Sequence, residues 1–225
     1  MSAFNRLCKK LNYVFNDKNL LAMALTHRSV GKSNNERLEY LGDSILNFVV
    51  AEELYKRFVD AREGDLSRLR SWLVNGDRLA EIAQALNLGE FLALGPGELK
   101  TGGHRRASIL EDALEAIIGA VYLDSDFILC RKFILSLYTH KLQDIPTVDE
   151  LKDPKTRLQE YLQARKAPLP DYAVDDISGE QHSRIFKVSC TVTGLKSPTF
   201  GIGGSRRKAE QESAKQALDA LLNRH

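Results

Sequence analysis

Apolar residues recur at every third or fourth position from Asn5 to about Leu142. This spacing is typical of amphipathic helices. It predicts helices over residues 19–29, 37–58, 63–88, 108–126 and 128–142. The segments between them, such as "GKSNN", "VDAREGD" and "LGPGELKTGGHRR", are polar or rich in glycine and interrupt the helices. No convincing strand occurs in this part, so we predict an all-α domain.

The pattern changes after residue 142. Residues 143–154 are polar, contain two prolines and lack apolar periodicity, as linkers do. A short helix (154–166), three strand-like segments and a final helix (205–224) follow. We therefore predict a small α+β domain of order α-β-β-β-α, and we divide the chain into an all-α domain (1–145), a linker (146–153) and the α+β domain (154–225).

Three acids lie within the apolar helix predicted at "NNERLEYLGDSILNFVVAEELY". Glu36, Glu39 and Asp43 are spaced i, i+3, i+7, which places them within about 60° of one helix face. Asp112 and Glu115 form a second i, i+3 pair in another apolar helix. Two helices that each offer two carboxylates can make an all-oxygen site for Mg²⁺ or Mn²⁺. On these residues alone, surface acids paired with arginines such as Arg37, Arg68 and Arg70 remain an alternative.

The composition shows that charge is unevenly distributed along the chain, and it indicates a cellular location. The net charge is +2, but residues 154–225 hold 12 Lys/Arg against 8 Asp/Glu, whereas residues 1–153 hold 20 against 22. A basic small domain beside an acidic large one suggests polyanion binding in the former. The three cysteines are scattered, and neither a signal peptide nor a transmembrane run is visible. We expect a soluble cytoplasmic protein without a membrane partner.

One stretch carries a specific resemblance. "NERLEYLGDS" (35–44) is similar, nearly letter for letter, to the signature of the ribonuclease III family, which usually has Phe where this chain has Tyr40. Further segments resemble that family in the same order: "LTHRS" (25–29), "EGDLSRLRSWLV" (63–74), "LGPGELKTGG" (94–103) and "ILEDALEAIIGAVYLD" (109–124). The final 70 residues resemble its double-stranded-RNA-binding domain, so the resemblance covers essentially the whole chain.

The resemblance implies roles for the acids. It implies that Asp43 and Glu115 are catalytic and that Glu39, Asp112 and Glu115 hold Mg²⁺, for which Mn²⁺ can substitute. Glu36 and Glu63 match two supporting acids near the RNA groove. The implied reaction is hydrolysis of double-stranded RNA by a water whose pKa a divalent ion lowers.

The implied products and assembly complete this expectation. Cleavage would leave 5′-phosphate and 3′-hydroxyl ends with short 3′ overhangs, as in processing of rRNA precursors and other structured transcripts. A homodimer is implied, in which Tyr40 enters the partner subunit. A core position for Tyr40 within its own chain is the alternative.

RNA contacts are implied for the second domain. The matching residues are Gln159, Gln163, His182, Ser205, Arg206, Arg207 and Lys208. The three basic residues open a helix, whose free N–H groups also attract phosphate. Glu210 departs from the lysine found in many such domains, which would weaken RNA affinity.

Other classes of function fit the sequence less well. "GPGELKTGGHRR" lacks the order of a nucleotide-binding P-loop, so no nucleotide cofactor is expected; an RNA-contact loop and a plain interhelical loop fit equally. The five histidines are dispersed, which disfavours a histidine-dependent ribonuclease. A catalytically inactive double-stranded-RNA-binding or regulatory protein on the same fold is the alternative, but the intact acids argue against it.

Overall fold

The computed structural model describes residues 3–179 and 183–223. The chain folds into two compact units, residues 1–145 and residues 146–225. Within the described residues, no helix is both long and apolar enough to cross a lipid bilayer.

The first unit is helical, which confirms the all-α prediction. Its helices are α1 (Ala3–Leu11), α2 (Lys18–Ala24), α3 (Glu36–Arg57), α4 (Glu63–Leu73), α5 (Gly76–Ala85), α6 (Pro96–Lys100), α7 (Ala107–Asp124), α8 (Phe127–Leu137) and α9 (Thr139–Gln143). The single helix predicted over 63–88 is divided into α4 and α5. Asn75 causes the division, because its side chain accepts a hydrogen bond from the N–H of Arg78 and so caps a new helix.

Helix α7 forms the centre of this unit. Eleven of its residues are buried, and it packs against α2, α3, α5 and α8. A helix that is apolar on nearly every side must be covered on every side, which explains its central place. The other long helix, α3, is more polar, and it buries one face that includes Leu38, Leu46, Val49 and Leu54.

The second unit has the predicted α+β order. Its elements are α10 (Val148–Leu151), α11 (Pro154–Ala164), β1 (Asp171–Ser178), β2 (Ile185–Thr191), β3 (Thr199–Gly203) and α12 (Arg206–Leu222). The three strands form one antiparallel sheet in the order β1-β2-β3, with Tyr172 opposite Cys190 and Val188 opposite Gly201. Residues of α11, α12 and β2 share one core that includes Leu158 and Leu218. The one-turn helix α10 lies within the segment predicted to be a linker.

Candidate active site

Two glycines let helices α3 and α7 approach each other closely. A Cβ atom on Gly42 would collide with the carbonyl oxygen of Glu115, and one on Gly119 would collide with the carbonyl oxygen of Leu38. Both glycines therefore remove a steric barrier at the crossing. Because the main chains nearly touch, acidic side chains just beside these glycines are forced into the same region of space.

Glu115 lies at the centre of the resulting carboxylate group. Its side chain belongs to α7 and is only 8% exposed. Burial and, to a lesser extent, the neighbouring carboxylates of Asp43, Glu111, Glu39 and Asp112 together raise the pKa of Glu115 to about 8. An ionised carboxylate among four others is repelled unless a cation is added.

The two acids beside Glu115 show the same environment. Burial raises the pKa of Glu39, and the charges of Asp112 and Glu36 add to the rise. Burial also raises the pKa of Asp112, where Glu36 is again an unfavourable neighbour. The acids predicted on α3 and α7 are thus brought together, with Glu36 at the edge of the group.

Asp43 occupies the exposed side of the group. Its carboxylate accepts a hydrogen bond from the side chain of Asn47, at 2.7 Å from Oδ1 to Nδ2. Solvent exposure therefore increases across the group. Glu115 is buried, Glu39 and Asp112 are half-buried, and Asp43 is exposed. A site open on one side can admit a large substrate while its inner carboxylates remain out of water.

Sequence reasoning missed one member, Glu111. Burial raises its pKa, as do the charges of Asp112, Asp77 and Asp43. Its carboxylate lies against Gly76 at the start of α5, where a Cβ atom would collide with it. The signal was present in the sequence, because Glu111 and Glu115 are spaced i, i+4 and therefore lie on one face of α7.

The donor chemistry of this group suits a hard divalent cation. Carboxylate oxygens are the preferred ligands of Mg²⁺ and Mn²⁺, and added positive charge would relieve the repulsion that raises these pKa values. The side chains are not already arranged as a closed metal site: among residues 3–179 and 183–223, no three His, Cys, Asp or Glu residues have that arrangement. The residues fit a cation by type and charge.

Two other residues predicted in this unit are not among the carboxylates that act on Glu115. Glu63 begins α4, and its Oε1 accepts a hydrogen bond from the Ser67 hydroxyl (2.8 Å). It lines a cavity of about 650 Å³ together with Phe48 and Tyr55. Tyr40 is 79% exposed, so it is not a core aromatic of its own chain.

The predicted RNA-binding residues of the second unit lie on its surface. Gln159 and Gln163 are exposed one turn apart on α11. His182 lies outside the described residues. At the start of α12 the side chains of Arg206, Arg207 and Lys208 are exposed. The Ser205 hydroxyl accepts from the N–H of Lys208 (3.3 Å) and so caps α12.

Glu210 is tied to two basic residues. Only 9% of it is exposed, and its carboxylate accepts hydrogen bonds from Lys155 Nζ (2.6 Å) and from Arg206 Nε (2.8 Å). These bonds, first that of Lys155, lower the pKa of Glu210. The acid that departs from the usual pattern thus joins the start of α11 to α12.

The glycine-rich segment 94–106 forms α6 and a single 3₁₀ turn, Gly103–Arg105. Arg106 is paired with Glu98 at 2.8 Å. Gly95 packs against the main chain of Ser29, where a Cβ atom would collide with the carbonyl oxygen. These contacts explain the conformation of the segment without a ligand.

Comparisons with known proteins agree with this architecture. The family profile described as ribonuclease-III-like matches residues 17–142, and that of the double-stranded RNA binding motif matches residues 154–221. Ribonuclease 3 of Vibrio cholerae is 55% identical over 97% of this chain and 97% of its own length, and ribonuclease 3 of Nitrosococcus oceani is 58% identical over 96% and 94%. The nuclease domain of ribonuclease III from Campylobacter jejuni superposes with a TM-score of 0.61 at 48% identity, covering 65% of this chain and all of that domain. Helices, carboxylate group and relatives together place this chain in the ribonuclease III family.

Proposed function

We propose that Glu39, Asp43, Asp112 and Glu115 form the catalytic centre with which this chain, a double-stranded-RNA endoribonuclease, hydrolyses phosphodiester bonds. The observation that carries the assignment is the α3–α7 crossing at Gly42 and Gly119. It gathers these carboxylates at one place and leaves Glu115 buried among like charges. Strongly perturbed carboxyl groups in a shared site are typical of catalytic centres. No observation in the described residues favours the catalytically inactive alternative.

The centre requires a divalent metal ion, and we assign Mg²⁺, with Mn²⁺ as a substitute. When bound, such an ion activates water and stabilises the charge that develops on the phosphate during displacement. Glu39, Asp112 and Glu115 would hold it. Glu115 must lose its proton to do so, and burial and the neighbouring carboxylates, which raise its pKa, oppose this loss until a cation binds. Ionisation of Glu115 and cation binding are therefore coupled.

The chain contributes a second element, the basic surface of residues 154–225. Arg207 and Lys208 are exposed at the N-terminus of α12, where side-chain charge and free N–H groups both favour phosphate. Gln159 and Gln163 on α11 offer amide groups suited to the 2′-hydroxyls of an RNA minor groove. Binding through phosphates and 2′-hydroxyls reads the shape of a duplex, which fits a substrate defined as double-stranded.

A homodimer is the assembly that this function favours. One catalytic centre cuts one strand, so two centres related by two-fold symmetry would cut both. The exposed ring of Tyr40, on the same helix as Glu39 and Asp43, is available to a second copy. A structure of the Campylobacter jejuni domain, 50% identical over 60% of this chain (TM-score 0.59), is described as flexible in its dimer-forming region. Cleavage by both centres would leave short 3′ overhangs with 5′ phosphates and 3′ hydroxyls.

The substitution Glu115→Gln tests the catalytic assignment. It keeps the shape of the side chain and removes its charge, so cleavage of a labelled RNA duplex in Mg²⁺ should fall by about 10³-fold or more. Binding of the same duplex in Ca²⁺ should persist. Glu90→Gln is the matched control, because Glu90 is an exposed acid of the same unit outside the group. Wild-type cleavage by Glu115→Gln would contradict the assignment.

A further inference from the structure

The loop "THRS", residues 26–29, has a main chain that is held from both sides. The N–H of His27 donates to the carbonyl oxygen of Ala93 (3.0 Å), and the N–H of Gly95 donates to the Ser29 hydroxyl (2.8 Å). The buried ring of His27 shares a further hydrogen bond with that hydroxyl through Nδ1 (2.8 Å). Arg28 therefore lies between two residues that hydrogen bonds hold in place.

The same loop is joined to the start of α3. The N–H of Asn35 donates to the carbonyl oxygen of Thr26 (2.9 Å), and Asn35 is itself buried. The next residue, Glu36, opens the helix that carries Glu39. The main chain of Arg28 consequently has a fixed position beside the carboxylate group.

The side chain of Arg28, in contrast, is largely uncommitted. It is 72% exposed, and its Nη1 lies 3.8 Å from Oε1 of Glu36. The second carboxylate oxygen of Glu36 accepts from the amide of Asn34 (3.1 Å). A single long ion pair between exposed side chains contributes little to stability. The guanidinium can therefore leave Glu36 for a stronger anionic partner at little cost.

The contact with Glu36 places Arg28 at the rim of the carboxylate group. Glu36 precedes Glu39 by one turn on α3, and the guanidinium beside it is exposed to solvent. An RNA strand must lie at this rim if the group cuts it.

We propose that Arg28 is a phosphate-binding residue of the catalytic site, which pairs with a phosphate of the strand being cut. The proposal rests on the function proposed above. Arginine suits this role because its planar guanidinium binds two phosphate oxygens at once. The fixed main chain of the loop places the group before substrate arrives, and such placement reduces the entropic cost of orienting the phosphate.

Substitution of Arg28 gives the first test. Single-turnover cleavage of an RNA hairpin with one cleavage site, at saturating protein and in Mg²⁺, should slow by about 10- to 100-fold in Arg28→Ala, because a charged hydrogen bond is lost. Arg28→Lys should recover part of the rate, since a point charge remains without the two-oxygen contact. The control is Arg6→Ala, which removes an exposed arginine of α1 in the same unit. All variants should keep the wild-type midpoint of thermal unfolding.

A second measurement separates phosphate binding from a structural role. Single methylphosphonates, which lack the negative charge, are placed at the cleavage site and at each flanking phosphate of the hairpin. At the phosphate that Arg28 binds, the methylphosphonate should slow cleavage by the wild-type protein in Mg²⁺ or weaken its binding of the hairpin in Ca²⁺. In Arg28→Ala, which already lacks the guanidinium, the same methylphosphonate should cause almost no further loss. Additive losses at every position, or normal cleavage by Arg28→Ala, would overturn the inference alone. Failure of the wild-type protein to cleave would overturn the proposed function with it.

Discussion

Glu115 and Glu210 are both buried helical glutamates, and their surroundings are opposite. Glu115 is 8% exposed and Glu210 is 9% exposed. Burial and the surrounding acids raise the pKa of the first to about 8, whereas hydrogen bonds from Lys155 and Arg206 lower the pKa of the second. Equal burial therefore does not define a role. A buried acid that is paired with basic side chains supports the fold. A buried acid without basic partners is suited to bind a metal cation.

The largest effect on stability is expected at the close crossing of α3 and α7, which places Glu115 among other carboxylates. Gly42→Ala would place a methyl group on the main chain of α7, so we expect a loss of at least about 3 kcal/mol in the free energy of unfolding. Denaturant unfolding of the full chain measures it. Gly31→Ala is the control, since nothing lies within 4 Å of its added Cβ atom. Equal stability of the two variants would contradict the close crossing.

Divalent cations should stabilise the folded chain through the carboxylate group. At a Mg²⁺ concentration about 100 times the dissociation constant, we expect a gain of about 2.7 kcal/mol in unfolding free energy, measured as a rise in the unfolding midpoint. Glu115→Gln should lose most of this gain, because it removes a charged ligand. Glu210→Gln should keep it, because that acid already has cations. A gain of the same size in both variants would place the cation elsewhere.

The pH dependence of stability without divalent cations gives a smaller, signed effect. Between the ordinary pKa of 4.5 and about 8, folded Glu115 holds a proton that the unfolded chain has released. The free energy of unfolding should therefore decrease as pH rises from 5 to 8, by about 1–3 kcal/mol from this group. Glu115→Gln should flatten the decrease and be the more stable protein at pH 8. An unchanged slope in this variant would show that Glu115 titrates normally.

Glu210→Gln should have the smallest effect, on RNA binding. The variant removes one negative charge and frees Arg206 near the start of α12, so duplex binding in Ca²⁺ at low salt should tighten by about two- to fivefold. Measurement at several salt concentrations should show a steeper dependence. Glu212→Gln makes the same charge change on the same helix without this ion pair. Equal tightening in both would indicate a general effect of charge.

Helical periodicity predicted α3 and α7 and the acids that share a face on each helix. The choice of a metal site over surface ion pairs rested on the resemblance to the ribonuclease III family. Spacing on one helix identifies a common face, and two such faces suggest a shared site. The closeness of the two helices could not be predicted, because it depends on which glycine meets which carbonyl group across the crossing. The partners of Glu210 were likewise hidden, since Lys155 is 55 residues away in the sequence.

Capping hydrogen bonds between neighbouring residues explain where the observed helices differ from the predicted ones. The pattern over 63–88 is helical throughout, yet Asn75 starts a second helix, since a polar cap satisfies free N–H groups better than continuation through "NG". The polar segment predicted as a linker contains α10, where Thr147 and Glu150 cap each other's main chain. Short-range hydrogen bonds of this kind leave no apolar periodicity in the sequence, so a search for periodicity does not find them.

The contact of α3 with α7 through Gly42 and Gly119 also determines what can vary in this centre. Since the main chains touch there, the spacing of the two helices is not free to adapt to a larger or smaller ion. The adjustable dimension is the length of each acidic side chain, which differs by one methylene between Asp and Glu. In the proposed metal site, exchange of Asp112 for Glu, or of Glu39 for Asp, would therefore change the space left for the ion, and with it the ionic radius that the site accepts.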